Sequence, residues 1–341
     1  MRNQAVVVSL GYALALLARA ETCGAEPQLD DVRINQLQYI GTHNSYHLAP
    51  SPEQLEAFTR LNRRAKEWDY EHAPLDTQLD RGVRSFELDL HYNGRAFEVF
   101  HVPRFDTGSS CPKFDEALKL VRSWSDEHAR HVPISFLLEI KEDLARLDRR
   151  LQAVDGQALD QIDAAIRAVF PAERLITPDD VRADAASLRE AVTEQGWPTL
   201  AAARGRVLFI LHERGALRDA YVAEHPSLAG RAMFVNSSPD RDDAATLIVD
   251  SPEVDRIQAL VEQGFWIRTR ADANLNPVDD ASFARRDAAL ASGAHIISTD
   301  YPAGEAHADS DYVVAWPDGA EARVNPVNGP EQLSGHYIEA E

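Results

Sequence analysis

Short apolar segments alternate with amphipathic helical segments along nearly the whole chain, and this alternation limits the possible folds more than any other feature. Eight apolar segments are predicted to be strands, at 38–43, 84–90, 97–101, 134–141, 207–212, 233–236, 265–270 and 295–300. Helical patterns lie between several of them, at 53–68, 114–128, 158–169, 252–263 and 281–292. Strands that alternate with helices in this way pair in parallel.

Eight such units predict an α/β fold, a closed TIM-type (β/α)8 barrel that forms a single domain with loop insertions. Barrels of this kind take about 250 residues or more, and the chain has 341. An open doubly wound sheet is the alternative, but no Gly-rich dinucleotide-binding motif follows the first strand. The long connection over 142–206 has a helical pattern typical of an insertion. In the C-terminal extension, 313–324 resembles a hairpin with Pro317-Asp318-Gly319 as its turn.

The N-terminus has the pattern of a secretory signal peptide. Arg2 precedes an apolar run over 5–17, and Ala18-Arg19-Ala20 satisfies the small-x-small cleavage rule. The run is too short to span a membrane. We therefore expect 1–20 to be removed, leaving 21–341 as the barrel with its extension in a secreted or periplasmic protein. A buried N-terminal helix is the alternative interpretation.

The chain has two cysteines, Cys23 and Cys111. In an exported protein they would be able to form one disulfide between the mature N-terminus and the loop after the third predicted strand. This pairing is a prediction from compartment and number alone.

The formal net charge of -20, with a pI near 5.0, excludes several classes of partner. Nucleic acid is not expected, because binding to its phosphate backbone requires clustered Lys and Arg. Simple electrostatic attraction to an anionic membrane is not expected either. A site that handles phosphate on such a protein needs a local cation, either basic side chains or a metal.

Two carboxylates share one face of the second predicted strand. Phe86, Leu88 and Leu90 alternate with Glu87 and Asp89, so the apolar side chains are predicted to pack under helices and the acidic ones to point into the barrel. Two carboxylates in a barrel interior repel each other and resist ionisation unless a cation joins them.

The strand over 134–141 repeats this pattern, with Glu139 and Lys141 on the inward face. A third carboxylate is thereby predicted at the same rim. Three acidic oxygen donors without a nearby cysteine favour a hard cation, Ca2+ or Mg2+. The alternative is a set of internal ion pairs with Lys141 and arginines.

Two histidines lie at predicted strand ends beside this acidic cluster. The first strand ends in Gly-Thr-His-Asn-Ser at 41–45, and the third ends at His101. His43 and His101 are therefore candidates for a general base and a general acid, and Asn44 offers the metal a neutral oxygen donor. Two further histidines, His47 and His91, are expected to have supporting roles in loops.

Basic and acidic residues also end the last two strands. Arg268 and Arg270 share a face and, with Lys141, are candidates for binding the phosphate or hydroxyls of a substrate. Partnership with the acidic residues is the competing interpretation. Asp300 is a candidate for orienting a catalytic histidine, as the carboxylate of a triad does. A turn role for Asp300 before Pro302 is equally compatible with the sequence.

The order of these residues resembles a known pattern. His43-Asn44, Glu87-Leu88-Asp89, His101 and Glu139 resemble the catalytic X-region of calcium-dependent phosphatidylinositol-specific phospholipases C, and 41–47 is similar to the bacterial branch in particular. The resemblance implies that Asn44 and the three carboxylates bind Ca2+. It also implies that the two histidines flank the scissile phosphate.

The resemblance further implies attack of the inositol 2-hydroxyl on phosphorus, which yields cyclic inositol phosphate and diacylglycerol. The implied partner is a phospholipid headgroup at a membrane surface, and neither nucleic acid nor a stable protein partner is expected. The end of the fifth predicted strand, 211–213, lacks paired lysines for ring phosphates. Phosphorylated inositides are therefore less favoured as substrates.

Two other functions remain open. A glycerophosphodiester phosphodiesterase or a sphingomyelinase D-like enzyme also uses two histidines and a metal, but those families usually have His-Arg where this chain has His43-Asn44. A non-catalytic, calcium-stabilised secreted binding protein is the other alternative. It has no need for both His43 and His101 beside the metal.

Overall fold

The structure is a computed structural model that describes residues 28–142, 144–273, 275 and 278–338. The predicted signal peptide and Cys23 lie outside the described residues, so the leader and the disulfide stay predictions. Among the helices that the structure describes, none is both long enough and apolar enough to cross a membrane.

Eleven strands are described, and eight of them build a barrel. The strands are β1 (Leu37–Thr42), β2 (Ser85–Tyr92), β3 (Phe97–Val99), β4 (Ile134–Ile140), β5 (Val207–Leu211), β6 (Met233–Val235), β7 (Thr246–Ile248), β8 (Trp266–Arg270), β9 (Ile296–Thr299), β10 (Ala322–Val324) and β11 (Tyr337–Ile338). All except β3, β10 and β11 are parallel, in the order β6-β5-β4-β2-β1-β9-β8-β7. A parallel bridge between Asn236 and Thr246 joins the two ends. The predicted (β/α)8 barrel is therefore confirmed.

The helices lie between these strands. They are α1 (Pro52–Leu61), α2 (Leu75–Asp80), α3 (Phe114–Glu127), α4 (Gly156–Val169), α5 (Pro178–Arg182), α6 (Leu188–Glu190), α7 (Leu200–Ala203), α8 (Gly215–Val222), α9 (Val254–Glu262) and α10 (Asp280–Ala291). A 3-10 turn over Arg63–Trp68 follows α1, and the helical insertion predicted over 142–206 contains α4 to α7. Local signals explain several starts: Ser51 caps α1 in a capping box, and Asp155 caps α4.

Two of the strand predictions are wrong. The segment 97–101 contains only β3, which pairs antiparallel with β2 and is not a barrel strand. The strand missed by the sequence reasoning is β7, which has three residues and is too short to show a clear pattern. In the extension, 313–316 is not a strand. There, β10 pairs antiparallel with β1 and β11, so the predicted hairpin is also wrong.

The barrel wall packs against the helices through large apolar side chains. Phe86 lies 5.7 Å from Phe136, which stacks on Phe209 at 4.7 Å between ring centroids. Burying an aromatic ring of this size contributes about 2–3 kcal/mol through the hydrophobic effect. The alternation predicted for β2 is therefore realised, with Phe86 on the helix side of the sheet.

Gly41 allows β1 and β2 to approach closely beneath the catalytic mouth. A Cβ atom at this position would lie 2.7 Å from the Cβ of Ser85, which is too close for any side chain. The glycine therefore sets the spacing of the two strands that carry His43 and the first carboxylates. At the opposite end of the barrel, the extension contributes Glu321, which forms a buried ion pair with Arg84.

Candidate active site

The carboxyl ends of the parallel strands bring most of the predicted residues to one mouth of the barrel. Parallel strands present their carboxyl ends on the same side, which is where barrel enzymes carry their sites. The residues concerned sit in or directly after β1, β2, β4, β8 and β9; they are His43, Asn44, Glu87, Asp89, Glu139, Lys141, Arg268, Arg270 and Asp300. The predicted convergence is present in the structure.

Three carboxylates form the acidic cluster, defined as Glu87, Asp89 and Glu139. Asp89 and Glu139 are register partners on β2 and β4. Lys141 lies between them, with its Nζ 3.3 Å from Asp89 Oδ2 and 2.7 Å from Glu139 Oε1. Ligand atoms of Glu87, Glu139 and His212 lie within 4.8 Å of one another. Glu87, Glu139 and His212 are therefore close enough together to share one cation.

The three carboxylates differ in how easily they ionise. Burial raises the pKa of Asp89 well above its ordinary value, against the opposing charge of Lys141. Burial also opposes ionisation of Glu139, but a hydrogen bond from His212 and the charge of Lys141 hold its pKa well below the ordinary value. For Glu87, the Arg268 guanidinium overcomes the effect of burial and lowers the pKa. Asp89 is thus the carboxylate that most needs additional positive charge.

Several buried oxygens of this region have no hydrogen-bond partner in the described part of the chain, although Lys141 forms an ion pair with Asp89. Neither carboxylate oxygen of Asp89 has a hydrogen-bond partner among the described residues, and the same holds for Asn44 Oδ1. Asn44 adopts the left-handed backbone conformation with φ of 46°, which asparagine tolerates better than most residues. Its Nδ2 donates to the Tyr70 hydroxyl at 3.0 Å. Unpaired buried oxygens are costly, and hard oxygen donors of this kind fit Ca2+.

His43 is held by groups that follow other barrel strands. Its Nδ1 donates to Asp300 Oδ1 at 2.7 Å, and Arg270 contacts both Asp300 and the ring. Its Nε2 lies 3.8 Å from Glu87 Oε1. Burial lowers the pKa of His43, and the positive charge of Arg270 lowers it further. The ring is therefore neutral at neutral pH, with a lone pair on Nε2 that is able to accept a proton.

His101 is held by a loop rather than by strands. Its Nδ1 donates to Asp106 Oδ2 at 2.8 Å. The same carboxylate contacts Nε2 of the buried His47 at 2.9 Å, while His47 Nδ1 donates to the carbonyl oxygen of Tyr70 at 2.9 Å. Trp68 meets the His101 ring edge-on at 5.8 Å. These contacts fix the ring and leave its Nε2 available to a ligand.

The other candidate residues contact the loop and the rings of the two histidines. His47 anchors Asp106, and His91 lies behind the loop, where its Nε2 donates to the carbonyl oxygen of Phe100 at 3.0 Å. Asp300 orients His43, although its backbone N–H also bonds Asp272 Oδ1 at 3.1 Å. The orienting role predicted for Asp300 therefore agrees with its contacts.

The basic candidates divide into two groups. Arg270 borders the cavity described below. Arg268 is buried, and its guanidinium bonds Glu87, Asp250 and Ser298. Its assignment as a substrate-binding residue needs correction, because the partnership with acidic residues is what the contacts show. Lys141 likewise pairs with Asp89 and Glu139.

Sequence reasoning missed three residues of this region. His212 directly follows β5 and lies 3.4 Å from Glu139 Oε2, so the rule of strand carboxyl ends would have found it. Asp106 and Tyr70 lie in loops. No periodicity marks such positions, and only the folded structure shows that they contact His101 and Asn44.

A cavity of about 670 Å³ opens above these residues. His43, Asn44, His101, Arg270 and Asp300 contribute to its polar wall. The apolar part of the lining includes Phe58, Leu61, Trp68, Phe105 and Leu144. One ligand in this cavity is therefore able to reach both histidines and an apolar rim together.

Comparisons with known proteins agree with this geometry. The family model described as "Phosphoinositide phospholipase C, Ca2+-dependent" matches residues 32–96 and 91–326. No curated protein sequence matches the chain.

Solved structures resemble the fold. A calcium-dependent phosphoinositol-specific phospholipase C from the Gram-negative bacterium Pseudomonas sp. in its apo form has a TM-score of 0.57 and 18% identity, over 84% of this chain and 96% of that chain. The calcium-dependent phosphatidylinositol-specific enzyme from Streptomyces antibioticus has a TM-score of 0.56 and 19% identity, over 79% and 94%. The family match covers most of the sequence, and the chain belongs to the calcium-dependent phosphoinositide phospholipase C family.

Proposed function

We propose that this phosphodiesterase cleaves phosphatidylinositol into diacylglycerol and cyclic inositol phosphate, with His43 as the general base and His101 as the general acid. The observation that carries the proposal is that two separately anchored histidines line one cavity beside the acidic cluster. Each has its Nδ1 bound to a carboxylate, Asp300 or Asp106. The Nε2 atoms are thereby available for proton transfer.

Asn44, Glu87, Asp89 and Glu139 would hold the calcium ion that this family requires. When bound, Ca2+ would neutralise phosphoryl charge and favour ionisation of the attacking hydroxyl. Oxygen donors outnumber the single nitrogen of His212, which favours Ca2+ over softer metals. Mg2+ also prefers oxygen donors, but it demands a stricter octahedral geometry than Ca2+, and we propose it as the less favoured ion.

The proposed reaction is an internal transfer at phosphorus. The oxygen of the inositol 2-hydroxyl forms a bond to phosphorus, and its proton passes to His43 Nε2. The bond between phosphorus and the glycerol oxygen breaks, and that oxygen takes a proton from His101 Nε2. Asp300 and Asp106 keep both rings oriented while the charges develop, and Arg270 faces the same cavity as a cation for the phosphate.

The charges around the cavity favour an inositol ring without further phosphates. Arg64, Lys66 and Arg270 contribute positive charge. The acidic lining residues outnumber them; they are Glu67, Asp69, Asp300 and Asp309. A multiply phosphorylated ring would meet this negative balance without a basic cluster to offset it.

The rim of the cavity supports a lipid as the substrate. Leu61, Phe105 and Leu144 are exposed by 78%, 36% and 39%, which is unusual for large apolar side chains. All three border the cavity. An apolar rim around a polar site is suited to a phospholipid whose headgroup enters the barrel and whose chains stay in the membrane.

Export from the cytoplasm is part of the proposal, on the basis of the N-terminal sequence pattern. A secreted or periplasmic enzyme would meet lipid outside the cytoplasm. N-terminal sequencing of the protein from a culture medium or a periplasmic extract tests export directly. We expect the mature protein to begin at Glu21. An intact Met1 in the exported protein would contradict the leader.

A cleavage assay with identified products tests the proposed function. Vesicles of phosphatidylinositol are incubated with the protein in Ca2+ or in excess chelator, the phosphorus products are assigned by 31P NMR, and the products without phosphorus are identified by mass spectrometry. We expect cyclic inositol phosphate and diacylglycerol in Ca2+ only. Release of choline, glycerol phosphate or phosphatidic acid from a lipid panel would instead favour the phosphodiesterases considered above, and full activity in chelator would contradict the role of Ca2+.

A further inference from the structure

A groove rich in arginine lies beside the catalytic mouth and takes no part in the proposed reaction. Its volume is about 280 Å³. We define the basic groove by its polar lining residues, Arg214, Arg218, Ser237, Ser238, Arg241 and Arg256.

The basic groove opens on the same rim as the active site. Arg214 comes shortly after β5, Ser237 after β6, and Arg256 lies in the first turn of the helix that follows β7. His43 directly follows β1. Because all these strands are parallel, the groove and the catalytic cavity face the same side of the barrel.

Positive charge is in excess in this groove, although the chain as a whole has a net charge of -20. Four arginines and one aspartate, Asp219, line it. Arg218 is buried and bonds Asp243, which neutralises that pair. The side chains of Arg241 and Arg256 are 47% and 61% exposed, and they form ion pairs with Asp243 at 3.5 Å and Glu253 at 3.3 Å. Solvent weakens ion pairs at such exposed positions, so both guanidinium groups remain open to a further anion.

Neutral donors surround the same space. Helix α8 begins at Gly215, and no described side chain caps its first N–H groups. Ser238 adds a hydroxyl to the lining, whereas the Ser237 hydroxyl donates to Asp243. A helix N-terminus, a hydroxyl and guanidinium groups around one concavity form a combination that binds phosphate well.

We propose that the basic groove binds the phosphate of an anionic phospholipid that is not the substrate. The orientation rests on the proposed function, since a lipid substrate in the cavity would bring the whole rim against a bilayer. A chain with strong net negative charge is repelled by an anionic surface, and a local arginine cluster on the contacting face offsets that repulsion. The groove would therefore hold the enzyme on membranes that contain acidic lipid.

Vesicle binding measured without turnover tests this inference. The full chain is mixed in chelator with phosphatidylcholine vesicles, with or without phosphatidylglycerol, and the bound fraction is measured by sedimentation. The test variant is Arg241→Glu/Arg256→Glu. The control, Lys119→Glu/Arg167→Glu, changes charge equally on exposed positions of α3 and α4, and Arg167 lies in the last turn, away from the rim.

We expect phosphatidylglycerol to increase binding of the wild-type protein and of the control variant alike. The test variant should lose about tenfold or more in affinity for these vesicles, because each basic residue near an anionic surface contributes about 1 kcal/mol. Added salt should remove the difference between the two variants. Equal binding by test and control variants would overturn the proposal.

Two further measurements separate the possible failures. In one outcome, the wild-type protein binds inorganic phosphate while its vesicle binding does not depend on the arginines. That result would overturn the lipid assignment and leave only a free-anion site. Cleavage of phosphatidylinositol without arginine-dependent binding would refute the groove alone. Arginine-dependent binding without cleavage of an inositol lipid would refute the proposed function and leave the groove intact.

Discussion

The two histidines of the site are held in different ways. His43 is oriented by Asp300 and Arg270, and all three residues sit at or next to the carboxyl ends of barrel strands. His101 follows the short β3, and its carboxylate partner Asp106 lies five residues further along the same loop. We call these the strand half and the loop half of the site.

The difference has a chemical meaning. The strand half is attached directly to the barrel wall, because Arg270 lies in β8 and the His43 backbone N–H donates to the Thr299 carbonyl oxygen at 2.9 Å. The loop half depends on a buried contact between His47 and Asp106, which ties the loop to the segment after β1. Placement on the barrel wall suits the group that must meet the attacking hydroxyl beside the metal. A loop-borne acid at the cavity wall is suited to the departing lipid oxygen.

The largest expected effects come from removing either histidine. His43→Ala and His101→Ala should each lower kcat on phosphatidylinositol by about 10³-fold, within the range for general acid–base catalysis. An aryl phosphodiester of inositol should distinguish the two variants, because its leaving group needs no proton. That substrate should restore most of the activity of His101→Ala and little of that of His43→Ala.

The test of this prediction is a comparison of kcat values for the two substrates. Equal rescue of both variants would mean that the acid and base roles are not divided between the halves as proposed. Rescue of His43→Ala alone would mean that His43 is the general acid and His101 the general base. Circular dichroism of each variant checks that the fold is intact.

The next largest effects come from the two carboxylates that orient the rings. Asp300→Asn and Asp106→Asn should each lower kcat by about 10²-fold, since an amide is able to favour the wrong ring tautomer. The aryl substrate should restore most of the kcat of Asp106→Asn but little of the kcat of Asp300→Asn. If Asp106→Asn fails equally on both substrates, then the loop carboxylate acts on more than His101.

The sequence predicts the residues on barrel strands better than it predicts the loop half of the site. Glu87, Asp89 and Glu139 were predictable because alternation assigns them to the inner face of strands, and parallel strands end at one rim. His212 follows the same rule, so the rule would have identified it. The place of Asp106 was not, because its contact with His101 depends on how a loop closes over the barrel.

The fold shows the same contrast. Long barrel strands such as β2 were predictable from their apolar periodicity, but the three residues of β7 carry too little pattern. His101 was identified although the strand predicted to end there is antiparallel and outside the barrel. It was identified as the end of a predicted strand beside the acidic cluster, and the family resemblance agreed with that choice. Chemistry was thus easier to locate than the strand that carries it.

A smaller effect concerns stability and the residue behind the loop half. Burial lowers the pKa of His91 to about 4, below the ordinary 6.5 that applies when the chain is unfolded. The unfolded state therefore binds more protons between these values, and the free energy of unfolding falls as pH decreases from about 6.5 towards 4. Denaturant unfolding across this range measures the slope.

The variant His91→Asn isolates this contribution. Its stability should decline less steeply than that of the wild-type protein over the same pH range. Other buried histidines, such as His295, have pKa values lowered to about 4 as well, so part of the slope should remain. An unchanged slope in His91→Asn would show that His91 is not the group that titrates.

Both halves serve a metal that the acidic cluster is proposed to hold, and calorimetric titration with Ca2+ tests that claim most directly. The wild-type protein should bind one Ca2+ per chain. The Ca2+ affinity of Asp89→Asn should fall at least about tenfold. The substitution removes the negative charge of a proposed metal ligand whose oxygens have no hydrogen-bond partner within the residues that the structure describes. His101→Ala should bind Ca2+ as the wild-type protein does. Equal Ca2+ affinity in Asp89→Asn and the wild-type protein would contradict the assignment of calcium to this cluster.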